Sequence, residues 1–305
     1  ANLQYVSTNT LNFSGFETLQ GGSGADTFNI SSTQTRDLLG GAGDDAFAFA
    51  DNSQLIGSVN GQSGSDTMDF TAYTTARRIV LTGLGSTNGF AGGDYTPVRA
   101  ITGSFDNFNT LKGSSDPAGG DILVGLNVNS EWVCGAVCTY TANPTLTFTG
   151  FETLVGGDAD DTFTINGVRD LTLIGGAGND TFILPAGAEV LGSINGQGGN
   201  DTINGGDGGD EIFGGDGADS LIGHDGGDVI EGNGGDDTIE GGDGEDTITG
   251  NGGDDSIDGG HDRDVINGDD GNDTINAGSG ADVVLGDAGD DSILGGASDD
   301  SLVGG

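Results

Sequence analysis

The last third of this chain repeats every nine residues. Over 196–303, twelve nonapeptides follow one another without a gap in the pattern Gly-Gly-x-Gly-x-Asp-x-U-x, where U is a large aliphatic. The sixth place is Asp201, Asp210, Asp219, Asp228, Asp237, Asp246, Asp255, Asp264, Asp273, Asp282, Asp291 and Asp300. The eighth is always Ile, Leu or Val, from Ile203 through Ile239 to Leu302. Self-similarity at a short fixed period predicts stacked units that bury their apolar side only against their neighbours. The fold expected is all-β: a right-handed parallel β-roll or β-solenoid.

The residue types explain the pattern. Glycines at places one, two and four permit backbone conformations that a Cβ forbids, and they let carbonyl oxygens crowd together. On this reading the first six residues of a repeat form a turn and the last three a short strand. Side chains alternate along a strand, so the eighth-place aliphatic points inward and the ninth outward. Crowded carbonyls beside one carboxylate suit a hard cation that takes six to eight oxygens, which is calcium, Ca2+. The composition agrees. The chain has 64 glycines among 305 residues, seven basic residues and a formal net charge of −42. That charge opposes compaction without a counter-ion. It also argues against nucleic acid and anionic membrane surfaces as partners. No apolar run is long enough for a membrane span.

One coil of such a roll takes two nonapeptides, so neighbours on one side are repeats n and n+2. One expected calcium column runs Asp161, Asp180, Asp201, Asp219, Asp237, Asp255, Asp273, Asp291. The other runs Asp210, Asp228, Asp246, Asp264, Asp282, Asp300, and a shorter third is Asp26, Asp45, Asp66. Some repeats are degenerate. The fourth glycine is lost at Asp262, Ala159 and Ser298, and Ala277 replaces a first glycine. With one aliphatic per nine residues, burial falls short of the chain entropy. Calcium binding is therefore expected to supply the folding free energy, leaving the array disordered at cytosolic calcium and folded outside the cell.

The first two-thirds hold a duplication. Residues 11–69 recur as 146–204 at a constant offset of 135, and the blocks Gly15-Phe16-Glu17-Thr18-Leu19 and Gly150-Phe151-Glu152-Thr153-Leu154 mark the alignment. Nonapeptides there begin 19 and then 21 residues apart, at 21, 40, 61 and at 156, 175, 196. Each such coil is expected to carry one calcium turn, with ordinary strands at 35–39 and 170–174. The organisation read from this is 1–70 as first-copy coils, 71–145 as an irregular β-rich connection, 146–195 as the second copy, and 196–305 as the regular roll. Within 71–145, 78–82 alternates like a strand. Residues 113–125 resemble a nonapeptide interrupted at Asp116-Pro117, with Asp121 and Leu123 in the expected places, and looped-out segments are expected near 86–97 and 127–144. Arg77-Arg78 read as solvated surface charges rather than contacts to a neighbouring acidic face. The closeness of Cys134 and Cys138 favours a disulfide-closed loop in an oxidising compartment over two free thiols. No second Cys/His pair accompanies them to make a zinc site.

The nonapeptides resemble the RTX, or haemolysin-type calcium-binding, repeats of bacteria, strongly over 196–303 and in islands from Gly21 onward. The Gly-Phe-Glu-Thr-Leu blocks and 68–73 are similar to segments of very large members of that group, among them surface-layer proteins and adhesins. The resemblance implies type I secretion. The chain has no secretory signal peptide at its start and stops inside the repeat pattern, so it is expected to be a piece of a longer protein.

An enzyme is not expected. The two histidines, His224 and His261, stand inside calcium turns, and neither G-x-S-x-G nor H-E-x-x-H occurs. An ice-binding face would need a regular outward file, but the ninth places run from Asn204 and Phe213 through Glu231 and Asp258 to Leu285, Leu294 and Val303. That row is apolar near its two ends, which suggests packing on a neighbouring copy or domain. The function expected is a calcium-rigidified structural segment of a secreted bacterial surface protein: surface layer, filament or adhesin stalk. The alternative is a calcium-dependent folding and secretion module of a toxin or hydrolase. Calcium ions are the first partner, further copies or domains of the same long protein the second, and a cell-surface glycan a third for an adhesin.

Overall fold

The computed structural model describes residues 16–116 and 120–305, which form strands and turns with no helix among them. The start of the first copy at Leu11 and the interruption at Pro117 lie outside the described residues. The chain divides into two compact units, one of residues up to 126 with 136–154, the other of 127–135 with 155–305.

In the second unit the regular array winds into two parallel sheets. One carries Glu211–Asp216, Val229–Gly234, Thr247–Gly252 and Val265–Asp270, and the other carries Thr202–Asp207, Ser220–Asp225, Thr238–Asp243 and Ser256–His261. Register advances by one coil of 18 residues, pairing Ile212 with Ile230, Ile230 with Ile248 and Ile248 with Ile266. The opposite file runs Ile203, Leu221, Ile239, Ile257, Ile275. These eighth-place side chains are buried and, with Val284 next to Ile266, form the apolar spine. Before the array, coils of 19 and 21 residues hold a third short strand, and Val168–Arg169 pairs with Glu189–Val190. The core there is aromatic, with Trp132, Phe163 and Phe182 stacked at centroid distances of 5.4 and 4.8 Å.

The strands differ from the sequence expectation. From Thr202 to Asp270 each covers six residues, not three: the last three of one repeat and the first three of the next, as in Ser220–Asp225, whereas the last four, Thr274–Asn276, Val283–Leu285, Ser292–Leu294 and Ser301–Val303, keep the expected three. Only places four to six turn the corner. The reason is in the backbone. Second places take positive φ even where glycine is absent, as at His224 (81°), Asn233 (76°) and Asn251 (72°), yet remain paired in the sheet. First-place glycines have no such φ, so another constraint keeps them.

The first unit is built from the same coils with a wider core. Thr18–Gln20, Asp37–Ala42 and Val59–Ser63 pair in parallel, as do Thr27–Ile30, Ala46–Phe49 and Thr67–Asp69. Phe28 stacks on Phe47 at 4.7 Å, and Phe47 meets Phe108 edge-on at 5.5 Å. The expected loop at 86–97 is instead half of a hairpin, Phe90–Asp94 running antiparallel to Arg78–Leu84. Segment 127–144 is likewise not looped out. Ser130–Cys134 pairs in parallel with Asp161–Ile165 in the second unit, and Cys138–Thr141 pairs antiparallel with Thr145–Thr149 in the first. Apolar alternation at Trp132 and Tyr140, both fully buried, draws these strands in. Cys134 and Cys138 are disulfide-bonded. Against expectation, Arg77 is not a solvated surface charge: it is 2% exposed and lies against Asp94, while Arg78 is on the surface.

Candidate metal centre

The sixth-place aspartates stack coil upon coil, each donating its backbone N–H to Oδ1 of the aspartate one coil later. The first file runs from Asp161 to Asp180 (2.7 Å), Asp201 (2.7 Å), Asp219 (2.7 Å), Asp237 (2.8 Å), Asp255 (2.8 Å), Asp273 (2.9 Å) and Asp291 (3.1 Å). The second runs from Asp210 to Asp228 (2.8 Å), Asp246 (2.8 Å), Asp264 (2.9 Å), Asp282 (2.9 Å) and Asp300 (3.2 Å). In the first unit Asp26 and Asp45 bond to Asp45 and Asp66 at 2.8 Å each. The structure therefore brings the seventeen sequence-derived aspartates into three files, spaced by the coil rather than by the repeat.

Except in Asp26 and Asp210, which begin their files, one oxygen of each carboxylate is thus spent on the stack, and the other is left over. Oδ2 is buried with no hydrogen-bond partner at every one of these positions except Asp26 and Asp300. Asp26 differs because its Oδ2 accepts the Gly22 N–H at 2.6 Å. Such a row of unpaired buried acceptors is costly unless something else satisfies it. The space in front of Oδ2 is what first-place glycines keep open. A methyl on Gly214 would overlap Asp219 Oδ2 and stand 2.7 Å from the Gly232 carbonyl oxygen of the next coil. On Gly250 it would overlap Asp255 Oδ2 and stand 2.8 Å from the Gly268 oxygen. Ala277, fully buried, is the one first place in the regular array where that methyl exists, beside Asp282.

Burial makes these groups poor free anions. Desolvation, with repulsion from neighbouring aspartates, pushes Asp180, Asp237 and Asp246 up to about 7. It pushes Asp45, Asp161, Asp201, Asp255 and Asp264 up to about 6, against bonds to the carboxylate that pull the other way. Asp210 rises furthest, to about 8, from burial and then the charges of Asp228, Glu189 and Asp207. Asp66, Asp219, Asp228 and Asp273 are raised as well, again chiefly by burial. A neutral-pH roll with ionised files needs positive charge inside it.

The donor set says which. Among the described residues no three His, Cys, Asp or Glu side chains gather as a metal cluster. The available donors are carboxylate and carbonyl oxygens, which fit calcium and not a thiolate- or imidazole-seeking ion. When bound, calcium supplies the counter-charge that the chain lacks. The chain's part is to present one unpaired carboxylate oxygen per turn, to keep a methyl-sized space before it, and to hold the turns in register. His261 and Arg263, in the degenerate repeat, do not invade this space. They point outward to Asp243 and to Glu245 (3.4 Å), and Asp264 Oδ2 stays buried and unpaired.

Three features were missed in the sequence. First, Asn109 and Ser130 occupy sixth places that do not hold aspartate: Asp66 N–H reaches Asn109 Oδ1 (3.2 Å), and Ser130 N–H reaches Asp161 Oδ1 (2.8 Å). Second, Arg77 takes the same place in its own coil, donating N–H to Asp121 Oδ1 at 2.6 Å while its side chain turns to Asp94. Third, fifth-place Asp and Asn form an outer ladder on one side only, in the opposite sense. Asn200 N–H bonds to Asn179 Oδ1, Asp254 N–H to Asp236 Oδ1 and Asn272 N–H to Asp254 Oδ1, at 2.7–2.9 Å. The signal was present as Asp or Asn at place five in most alternate repeats.

Fold and site together define a calcium-binding nonapeptide β-roll. The sequence profile of the RTX calcium-binding nonapeptide repeat matches residues 12–29 and 172–188, and overlapping windows of it cover 195–305. The chain carries RTX calcium-binding nonapeptide repeats in multiple copies. No curated protein matches the chain at a significant level. Asp45, Asp66 and Asp161 lie outside the matched spans yet share the geometry of those inside.

Proposed function

We propose that this chain is a structural segment of a secreted bacterial surface protein, of the surface-layer, filament or adhesin-stalk kind, that stiffens on binding calcium outside the cell. It works through its stacked coils and performs no catalysis. The observation that carries the reading is the repetition of one ladder: Asp26, Asp45 and Asp66 are joined as Asp161, Asp180 and Asp201 are, through coils of 19 and 21 residues. A long tandem unit that rebuilds the same geometry lengthens a structure, and a folding or secretion module attached to a toxin or hydrolase has no use for it. Self-association is served by outward ninth-place residues near the end of the array, where Leu294 is 62% and Val303 52% exposed and Leu285 is half-buried.

Electron microscopy of the chain with and without millimolar calcium tests this. Ordered filaments or sheets that require calcium are the expected result, and they should be lost in Leu285→Glu/Leu294→Glu. Monomers at every calcium concentration would turn the reading to the secretion-module alternative.

A further inference from the structure

The second column has an unusual beginning. Every later turn in it rests on an earlier one: the fourth-place carbonyl of Gly208 stands against Gly226, and that of Gly226 against Gly244. Gly208 has no earlier fourth-place glycine beneath it. A side chain is there instead, and a methyl on Gly208 would lie 2.9 Å from Oε1 of Glu189. Asp210, in the same turn, is also exceptional. It is 4% exposed and both of its carboxylate oxygens are buried without a hydrogen-bond partner. Later aspartates of the column spend Oδ1 on the N–H of the aspartate before them, and Asp161 has Ser130 for this. Asp210 has no such donor.

Glu189 is fixed in place. Gly187 donates its N–H to Asp207 Oδ2 at 3.1 Å, and Asp207 returns its own N–H to the Ala188 oxygen at 3.0 Å. Glu189 itself is paired with Val168 in the short third sheet. This reciprocal clamp holds a half-buried carboxylate over the turn 208–210.

We propose that Glu189 is a ligand of the first cation in the second column, its carboxylate standing in for the backbone carbonyl that a preceding turn supplies at every later site. The site then has two carboxylates, from Asp210 and Glu189, where the regular turn presents one unpaired carboxylate oxygen. Affinity for calcium grows with ligand charge. This position therefore loads ahead of the rest of its column and sets where a roll with one column becomes a roll with two.

The inference rests on calcium filling the roll, and the experiment separates the two claims. Bound calcium is counted by equilibrium dialysis of the whole chain, and amide exchange is followed turn by turn along a calcium titration. The variants are Glu189→Gln, which keeps size and removes charge, and Glu240→Gln, an exposed control with the same charge change. Glu189→Gln is expected to bind one ion fewer. Turns 208–210 and 226–228 should gain protection only at several-fold higher calcium, with turn 217–219 and the control unchanged. An unchanged ion count and midpoint at 208–210 overturns the assignment. A uniform shift of all turns overturns it too, because it marks a structural role for Glu189. Wild-type chain that takes up no calcium removes the calcium reading and this site with it.

Discussion

Asp201 donates its backbone N–H to Oδ1 of Asp219, eighteen residues on, at 2.7 Å, and the remaining oxygen of Asp219 is buried with no partner. Repeated along the chain, this one relationship makes the roll both cohesive and unsatisfied. Half of each carboxylate binds the coils together, and the other half asks for a cation.

First-place glycines are kept for room, not for backbone freedom. Gly214→Ala places a methyl against Asp219 Oδ2 and should remove one bound calcium and raise the calcium midpoint several-fold. Gly234→Ala is the control, since its methyl would come no closer than 3.5 Å to any neighbour, and should behave as wild type. The natural methyl of Ala277 predicts the reverse: Ala277→Gly should tighten binding at the Asp282 turn. Calcium counts by equilibrium dialysis decide all three, and a normal Gly214→Ala contradicts the cradle.

Acid should partly replace calcium. Aspartates raised to about 6–8 in the folded chain hold protons that an unfolded chain, titrating near 3.8, has released. Between those limits the folded state binds more protons, so its stability rises as pH falls and is lost as pH rises through 6–8. In chelator, β-structure measured by circular dichroism should therefore grow from pH 8 to pH 5. A chelated chain equally unfolded at both pH values, or more folded at pH 8, contradicts the buried files.

The Arg77–Asp94 pair should behave independently of calcium. Asp94 is fully buried, and Arg77 also packs on the Tyr73 ring at 4.2 Å. Arg77→Met leaves a buried carboxylate without its cation and should cost about 3–5 kcal/mol in the first unit. Adding Asp94→Asn should recover part of the loss, and added calcium should recover none. Thermal unfolding at saturating calcium gives the test; rescue by calcium would show that the ion takes the guanidinium's place.

The files of aspartate were legible in the sequence because a strict period fixes both face and spacing. Ile212 and Ile230 could be paired before any coordinates, and so could Asp219 with Asp237. What lay outside the period was not legible. Arg77, Asn109 and Ser130 fill sixth places by position in the coil, but their residue types give no hint of it. The hairpin Arg78–Leu84 with Phe90–Asp94 depends on a wide aromatic core that long-range packing assembles. Over 202–270 the strands run longer than the sequence suggests, because glycine and positive φ suggest turns, whereas second places keep their ladder bonds at positive φ. Glu189 was invisible for a simpler reason: its partner is a turn that is missing.

The central claim is that the roll's unpaired aspartates need calcium in order to fold. Amide exchange across 196–303, compared in millimolar calcium and in excess chelator at neutral pH, tests it most directly. The account predicts strong protection along both strand files with calcium and exchange at unfolded-chain rates without it. Protection that survives complete chelation at neutral pH would contradict it.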